Sequence, residues 1–458
     1  MDCRTRLTAG NKGGDKMKLP ERINRVLEKL SGNGFEAFVV GGCVRDMIMR
    51  KEPADYDITT NALPGQTADV FKDYKVIETG MKHGTVTVVI DGENIEITTY
   101  RIDGDYLDNR RPENVLFTAS VEDDLSRRDF TMNAIAFSPQ KGIFDPLDGK
   151  KDIKNRVIRC VGDPDTRFNE DGLRILRALR FSSQTGFEIE ENTANSIFRN
   201  KNLIKNISAE RIFIEFKKLI CGKTAHTVID KYKEVLGVFL PEILPMIGFE
   251  QKTKYHDYDV FTHTLKTLEK SDNDEIIRLA LFFHDVGKPD TLTVDDDGVY
   301  HFKGHAKVSA QYADAILRRL KSDNHTREKV CELIRMHSDE IVADEFHIKR
   351  LLSEKGEEFV RLLLAVKKAD ASGKARDYTN PPELNESEKI IDKILKSGQP
   401  LYLSDLSVKG NDIVALGIKG EKVGEVLKHL LSLVLSGKEE NDRESLLKCA
   451  GEFIKKYE

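Results

Sequence analysis

What the chain lacks narrows its assignment. Its six cysteines (Cys3, Cys43, Cys160, Cys221, Cys331, Cys449) are scattered and show no C-x-x-C spacing. That excludes zinc ribbons and redox dithiols and suits reduced thiols in a cytoplasmic protein. Apolar runs such as LALFF and LLSLVL are far too short to span a bilayer, so no membrane is expected as a partner. No G-x-x-x-x-G-K-[ST] loop occurs, which excludes a P-loop enzyme. There is no excess of positive charge either: the formal net charge is −5, so any nucleic-acid contact needs local basic patches. Residues 1–16 are polar and Gly-rich without an apolar h-region, so they are not read as a signal peptide. They are expected to be a disordered leader, or an over-extended start with Met17 as the initiator.

With 458 residues the chain has room for two to four domains with real cores. The most informative stretch is 38–60, FVVGGCVRDMIMRKEPADYDITT. An apolar strand runs into Gly41-Gly42, and Arg45-Asp46 follow at a helix start. Asp55 and Asp57 then lead into a short β-type run. Glycine lets backbone N–H groups approach phosphate closely. Side chains two apart on a strand face the same way, which would set Asp55 and Asp57 about 7 Å apart at Cα. Such a pair can share two magnesium ions with a nucleotide's phosphates. A third carboxylate is expected from Glu96 in the NIEITTY run, with Glu93 as the alternative. That run follows TVTVVI and the turn Asp91-Gly92, so the two strands read as a hairpin.

From residue 18 to about 162 the pattern is α/β, with a helix over 20–30 and strands near 37–40, 76–79, 85–90, 95–100 and 134–138. A long charged segment, 101–125, separates the strand of Glu96 from the next motif, and long loops in compact domains tend to be functional. Beyond 163 strand signals largely cease and amphipathic helical patterns take over. Within 199–223, Arg199, Lys201, Lys205, Arg211, Lys217 and Lys218 outnumber the acids Glu210 and Glu215. Such a run is either a solvated helix face or a surface that tracks RNA phosphates.

The order of motifs resembles the bacterial tRNA nucleotidyltransferases that build the 3′-terminal CCA, a branch of the polymerase-β-like superfamily. The resemblance rests on GGCVRD with DYD, RRDFTMNA (127–134), FDPLDGKKDIKNRVIR (144–159) and EDGLRILRALRF (170–181). It implies an α+β chain: a nucleotidyltransferase head (17–162), a helical neck that binds RNA (163–240), an HD domain (241–380) and a helical tail that holds tRNA (381–458). It implies Mg²⁺, CTP and ATP at the head, with Arg128, Asp129 and Asn133 serving ribose and triphosphate. In the fourth motif, opened by Glu170, a helix would place Asp171 and Arg174 on one face. There they can pair with cytosine or adenine as a protein template. Arg177, one turn on, would reach phosphate or base, or be an ordinary surface arginine. The loop residues Asp105, Asp108, Arg110 and Arg111 argue against an enzyme that adds only CC. Relatives that add poly(A) carry a basic element where this chain has ETGMKHGTVTVVI, which argues against polyadenylation. The tail sequence over 406–438 also fits the resemblance.

A second constellation lies within 255–375: His263, His284-Asp285 in HDVGK, His305, His337 and Asp370. It resembles an HD phosphohydrolase domain, and the extra His305 and His337 match dinuclear members. Imidazole and carboxylate donors suit Mg²⁺, Mn²⁺ or Ni²⁺ activating water. Three competing readings stay open at this point: a poly(A) polymerase, a CC-adding enzyme, and an HD phosphohydrolase whose head merely binds RNA.

Overall fold

The computed structural model describes residues 17–103 and 115–455. The readings made at 1–16 and at Asp105, Asp108, Arg110 and Arg111 therefore lie outside the described residues. The chain is a mixed α+β protein that divides into two compact units, Met1–Ser208 and Ala209–Glu458. Among the described residues no helix is long and apolar enough to cross a membrane.

The first unit holds a seven-stranded sheet, in the order β3-β4-β5-β2-β1-β8-β9. Its strands are β1 (Ala37–Val40), β2 (Asp57–Thr60), β3 (Lys75–Ile77), β4 (Thr85–Ile90), β5 (Glu93–Thr99), β8 (Ala136–Ser138) and β9 (Gly142–Phe144); β6 (Arg101–Asp103) and β7 (Val115–Phe117) form a separate pair. Strand β4 alternates as its sequence demands, with Val86, Val88 and Ile90 buried. The hairpin to β5 turns on Asp91 and Gly92, both at positive φ (53° and 82°), as a tight two-residue turn requires. Helix α1 (Glu21–Gly32) buries Ile23, Val26, Leu27 and Leu30, one stripe at helical spacing. The remaining helices are α2 (Gly42–Ile48), α3 (Pro64–Val70), α4 (Val121–Ser126), α5 (Gly149–Asn155), α6 (Pro164–Glu170), α7 (Leu173–Thr185) and α8 (Glu191–Asn200). Phe38, Val40, Tyr100, Leu125, Ala134, Ala136 and Val161 form a core cluster.

Two local expectations are corrected. Strand β2 begins at Asp57, so Asp55 precedes it instead of sharing the strand. Pro53, which has no N–H to give a ladder, lies just upstream. Nor do Asp171 and Arg174 share a helix: α6 ends at Glu170 and Asp171 takes an extended conformation (φ −143°, ψ 104°) before α7 starts at Leu173. Gly172, next in the chain, packs closely on Leu203: a Cβ there would meet the Leu203 carbonyl oxygen at 3.0 Å.

The second unit is almost wholly helical. Its elements are α9 (Ala209–Ile220), α10 (Ala225–Lys231), α11 (Lys233–Leu236), α12 (Val260–Lys270), α13 (Glu275–Phe283), α14 (His305–Arg319), α15 (Asn324–Met336), α16 (Glu345–Lys355), α17 (Glu357–Ser372), α18 (Pro382–Ser397), α19 (Gly410–Ala415), α20 (Glu421–Leu435) and α21 (Arg443–Lys455). Helix α13 is apolar over most of its length, with Ile277, Leu279, Ala280, Leu281, Phe282 and Phe283 buried, and its buried Arg278 donates to the Ile220 and Gly222 carbonyls. Asp259 and Asp274 cap α12 and α13 by accepting from Thr262 N and from Ile276 and Ile277 N. A second core, built on Ile391, Leu430, Ile413 and Leu446, joins α16–α21.

Candidate functional site

In the first unit the carboxylates gather at one end of the sheet. β2 and β5 run parallel with Ile58 opposite Ile97, so Asp57 and Glu96 occupy neighbouring register positions. Partial withdrawal of the carboxyl from water and the charge of Asp55 raise Asp57 above its usual range; Arg128 opposes the rise and Glu96 adds to it. All three predicted carboxylates thus act on one point, and Glu93, in the salt bridge to Arg22, is not among them. Three oxygen-donor acids repelling one another, and open to solvent, fit a hard divalent cation such as Mg²⁺.

Beside them, Gly41 sits at φ 81°, which turns β1 into α2 and is open only to glycine. A Cβ there would lie 3.0 Å from Arg128 Nη1, so the glycine also makes room for that guanidinium. Arg45 donates to Asn133 Oδ1 (2.8 Å) and to Asp46 Oδ1 (2.9 Å). Asn133 Nδ2 donates to Asp129 Oδ1 (3.1 Å), and Arg177 Nε to Asp129 Oδ2 (2.7 Å). Asp129 is buried, which opposes its charge, but Arg177 and Asn133 win and bring its carboxyl down to about 2. Gly41, Arg45, Arg128, Asp129, Asn133 and Arg177 therefore stand in one connected group.

Arg174 is buried and its guanidinium is held from several sides. Nη1 pairs with Glu170 and donates to the Arg167 carbonyl (3.1 Å), and Nη2 donates to the Arg127 carbonyl (3.1 Å). Asp171 Oδ1 accepts from Leu173 N (3.0 Å). One residue that sequence reasoning passed over ties these parts together. Asp124, fully buried, accepts from Thr59 Oγ1 on β2 (3.1 Å) and from Arg127 Nε and Nη2 (3.0 and 2.7 Å), and lies 3.5 Å from Arg128. Those arginines hold its carboxyl below the usual range against the effect of burial. Its signal was present in EDDL just before RRD, where an acid among acids reads as a solvated face.

The second unit brings His263, His284, Asp285, His305, His337 and Asp370 together at the ends of α12–α15 and α17. Each histidine Nδ1 donates to a carbonyl: His263 to Gly373 (3.0 Å), His284 to Leu281 (2.6 Å), His305 to Phe302 (2.8 Å), His337 to Ile334 (2.6 Å). A carbonyl only accepts, so all four rings present Nε2 to the interior. Asp285 Oδ2 faces His284 and His263 (3.1 and 3.6 Å), while Oδ1 faces His305 and His337 (3.4 and 3.8 Å). Asp370 Oδ1 completes the first group, 2.9 Å from His263 and 3.4 Å from His284. Both Asp285 oxygens are buried; Oδ2 has Lys288 Nζ at 2.7 Å, and Oδ1 faces His305 and His337. The donor set fits two divalent ions with Asp285 shared between them.

The two groups differ. His263 and His284 are fully buried, whereas Asp285, Asp370, His305 and His337 line a cavity of about 400 Å³ together with His256, Lys288, Lys367 and Lys374. Burial works against a charge on His284, yet Asp285 and Asp370 raise it to about 10; burial and His284 lower His337 to about 3. His256, Lys288 and Lys374 were not among the sequence-predicted residues, although HDVGK contains Lys288.

The basic residues of the neck are divided. Arg199, Lys201 and Lys205 belong to the first unit, and Arg199 pairs with Asp165 (2.8 Å). Arg211, Lys217 and Lys218 belong to the second, and Lys217 pairs with Glu275 (3.0 Å).

Comparison with known proteins agrees with this layout. The family description "Poly A polymerase head domain" matches residues 37–159, "Probable RNA and SrmB- binding site of polymerase A" matches 186–246, and "HD domain" matches 254–373. A CCA-adding enzyme of Pediococcus pentosaceus is 31% identical over 440 residues, 95% of this chain and 98% of that protein. The crystal structure of the Bacillus stearothermophilus CCA-adding enzyme in complex with CTP superposes with a TM-score of 0.74 at 28% identity, covering 95% of this chain and 98% of that one. A Thermotoga maritima CCA-adding enzyme complexed with tRNA shares the fold, with a TM-score of 0.55 at 19% identity, covering 94% of this chain and 95% of that one.

Proposed function

The chain belongs to the CCA-adding enzymes, and from that premise we propose that it completes the 3′ end of tRNA with CCA, using CTP and ATP, releasing pyrophosphate and needing no nucleic-acid template. The poly(A) polymerase and CC-adding readings are not favoured. The observation that carries the assignment of the chemistry is the register that sets Asp57 beside Glu96, with Asp55 acting on the same carboxyl.

Asp55, Asp57 and Glu96 would hold Mg²⁺, which polarises the attacking hydroxyl and the leaving phosphate when bound. Arg128, held by Asp124 in front of the Gly41 turn, and Arg45 meet the triphosphate. Asp129, fixed by Asn133 and Arg177, accepts from the ribose hydroxyls. The tRNA 3′-hydroxyl attacks the α-phosphorus, forming one P–O bond as the bond to pyrophosphate breaks. Asp171 and Arg174 match the Watson–Crick edge of cytosine or adenine, with Glu170 steadying Arg174. The head spans 17–162, the neck 163–240, the HD domain 241–380 and the tail 381–458. Basic residues of the neck and the tail hold the tRNA body, in the cytoplasm. A tRNA transcript lacking its last three nucleotides should grow by two with CTP alone and by three with CTP and ATP. A stop at two with both, or a long ladder with ATP, would overturn the assignment.

A second activity is favoured by the shared Asp285 and the polar cavity beside it. The HD domain would hydrolyse a phosphoester, a 2′,3′-cyclic phosphate or a phosphomonoester at an RNA end, with Mg²⁺, Mn²⁺ or Ni²⁺ held by His263, His284, Asp285, His305, His337 and Asp370. Metal-dependent release of phosphate or opening of a 2′,3′-cyclic nucleotide is the expected result; no bound metal and no hydrolysis would remove this activity.

A further inference from the structure

We infer that Lys288 and Lys374 are built-in counter-cations of the His/Asp centre: they balance its carboxylates when no metal is present, oppose metal binding, and turn to phosphate once metal is in place. The inference rests on the reading of that centre as a metal site.

Asp285 and Asp370 are almost fully buried, and two anions cannot be kept out of water without compensation. Each has an ammonium group as its partner. Lys288 Nζ lies 2.7 Å from Asp285 Oδ2, the oxygen that faces His263 and His284. It also donates to Gln251 Oε1 (2.7 Å) and lies over the Phe302 ring. Lys374 Nζ lies 2.8 Å from Asp370 Oδ2, while Oδ1 of the same carboxylate faces the histidines. The fold enforces both approaches. The turn before Lys288 is pinned by Gly287 N donating to Ser309 Oγ (3.0 Å), and a Cβ at Gly287 would meet Ser309 N at 2.7 Å. Before Lys374, a Cβ at Gly373 would meet His263 Nδ1 at 3.0 Å, so only glycine lets the end of α17 close on α12. The nearby Lys367 is committed elsewhere, to the carbonyls of His337 (2.7 Å) and Asp339.

Two ammonium groups offset the two carboxylates, so the centre holds no uncompensated negative charge without metal. Incoming dications take over the carboxylates and meet two positive charges a few ångströms away. Lys288 and Lys374 line the same cavity as His305 and His337, so their displaced charge faces whatever enters it. The ligand class that satisfies both metals and ammonium groups there is a phosphate dianion.

The test uses full-length protein carrying Asp55→Asn and Asp57→Asn, so that only the second centre is read, stripped of metal with a chelator. Mn²⁺ is titrated in by calorimetry, then inorganic phosphate into the Mn²⁺-loaded protein. Lys374→Met, at the cavity rim, should bind Mn²⁺ about tenfold more tightly and phosphate about tenfold more weakly. Its thermal midpoint should fall without metal and return to the parent value with Mn²⁺. Lys288→Met should repeat the pattern, and Lys374→Arg should restore parent behaviour. Unchanged or weaker Mn²⁺ binding in both methionine variants overturns the inference, and so does unchanged phosphate affinity. Failure of the parent to take up Mn²⁺ overturns the metal centre itself, and the inference with it.

Discussion

On the functions proposed above, the two centres hold divalent metal beside phosphate by opposite means. The head gathers Asp55, Asp57 and Glu96 where a parallel strand pair meets a glycine turn, leaves them open to solvent and lets them repel. The His/Asp centre is buried among helix ends, every imidazole is oriented by a carbonyl, and both carboxylates are paired. An open, uncompensated site suits metal that arrives with each nucleotide and leaves with pyrophosphate. A closed, balanced one suits metal that stays. The difference shows that ligand identity alone does not describe a metal site; the charge budget around it decides how the metal is exchanged.

The largest expected effect tests the head. Asp57→Ala should lower nucleotide addition by more than about 1,000-fold, read on a primer-resolution gel, because it removes a charge at the reacting phosphate. Its thermal midpoint should be unchanged or raised, since Asp57 is repelled in the fold. A large loss of stability would break the contrast. Arg174→Ala should cut discrimination of CTP and ATP against UTP and GTP by about 100-fold or more, measured as misincorporation; unchanged fidelity would refute the protein template. Asp285→Asn should do what Asp57→Ala does not and destabilise metal-free protein, by about 3–5 kcal/mol in denaturant titration, because Lys288 is left buried without its anion. The smallest effect is a pH dependence within the head. The Asp129 carboxyl titrates at about 2, below its unfolded value near 4, so its contribution is present above pH 4 and lost as pH falls toward 2. It amounts to about 2 kcal/mol, and Asp129→Asn should flatten the acid limb of the unfolding curve by that amount.

How much of this was legible in the sequence varied with the range of the interaction. Strand β4 and the Asp91-Gly92 turn lie where alternation and turn chemistry put them, because both are local signals. The carboxylate set was legible because a hairpin and a parallel neighbour leave few places for Glu96. Helical spacing misled at Asp171: the residues around it suit a helix, yet Asp171 is extended, and Gly172 beside it packs against Leu203, a contact from outside the local sequence. Lys374 and Asp124 were passed over for a related reason. Charged residues read as solvated until the fold removes the solvent.

The Asp124 linkage also bears on redesign. Thr59, two residues from Asp57, bonds to Asp124; Asp124 grips Arg127; and the Arg127 carbonyl carries Arg174. On the function proposed above, the base reader is linked to the metal strand through these three contacts. An engineer who wished to rewrite which bases are added could exchange side chains at Asp171 and Arg174, but shifting the backbone that presents them would drag the metal carboxylates out of line.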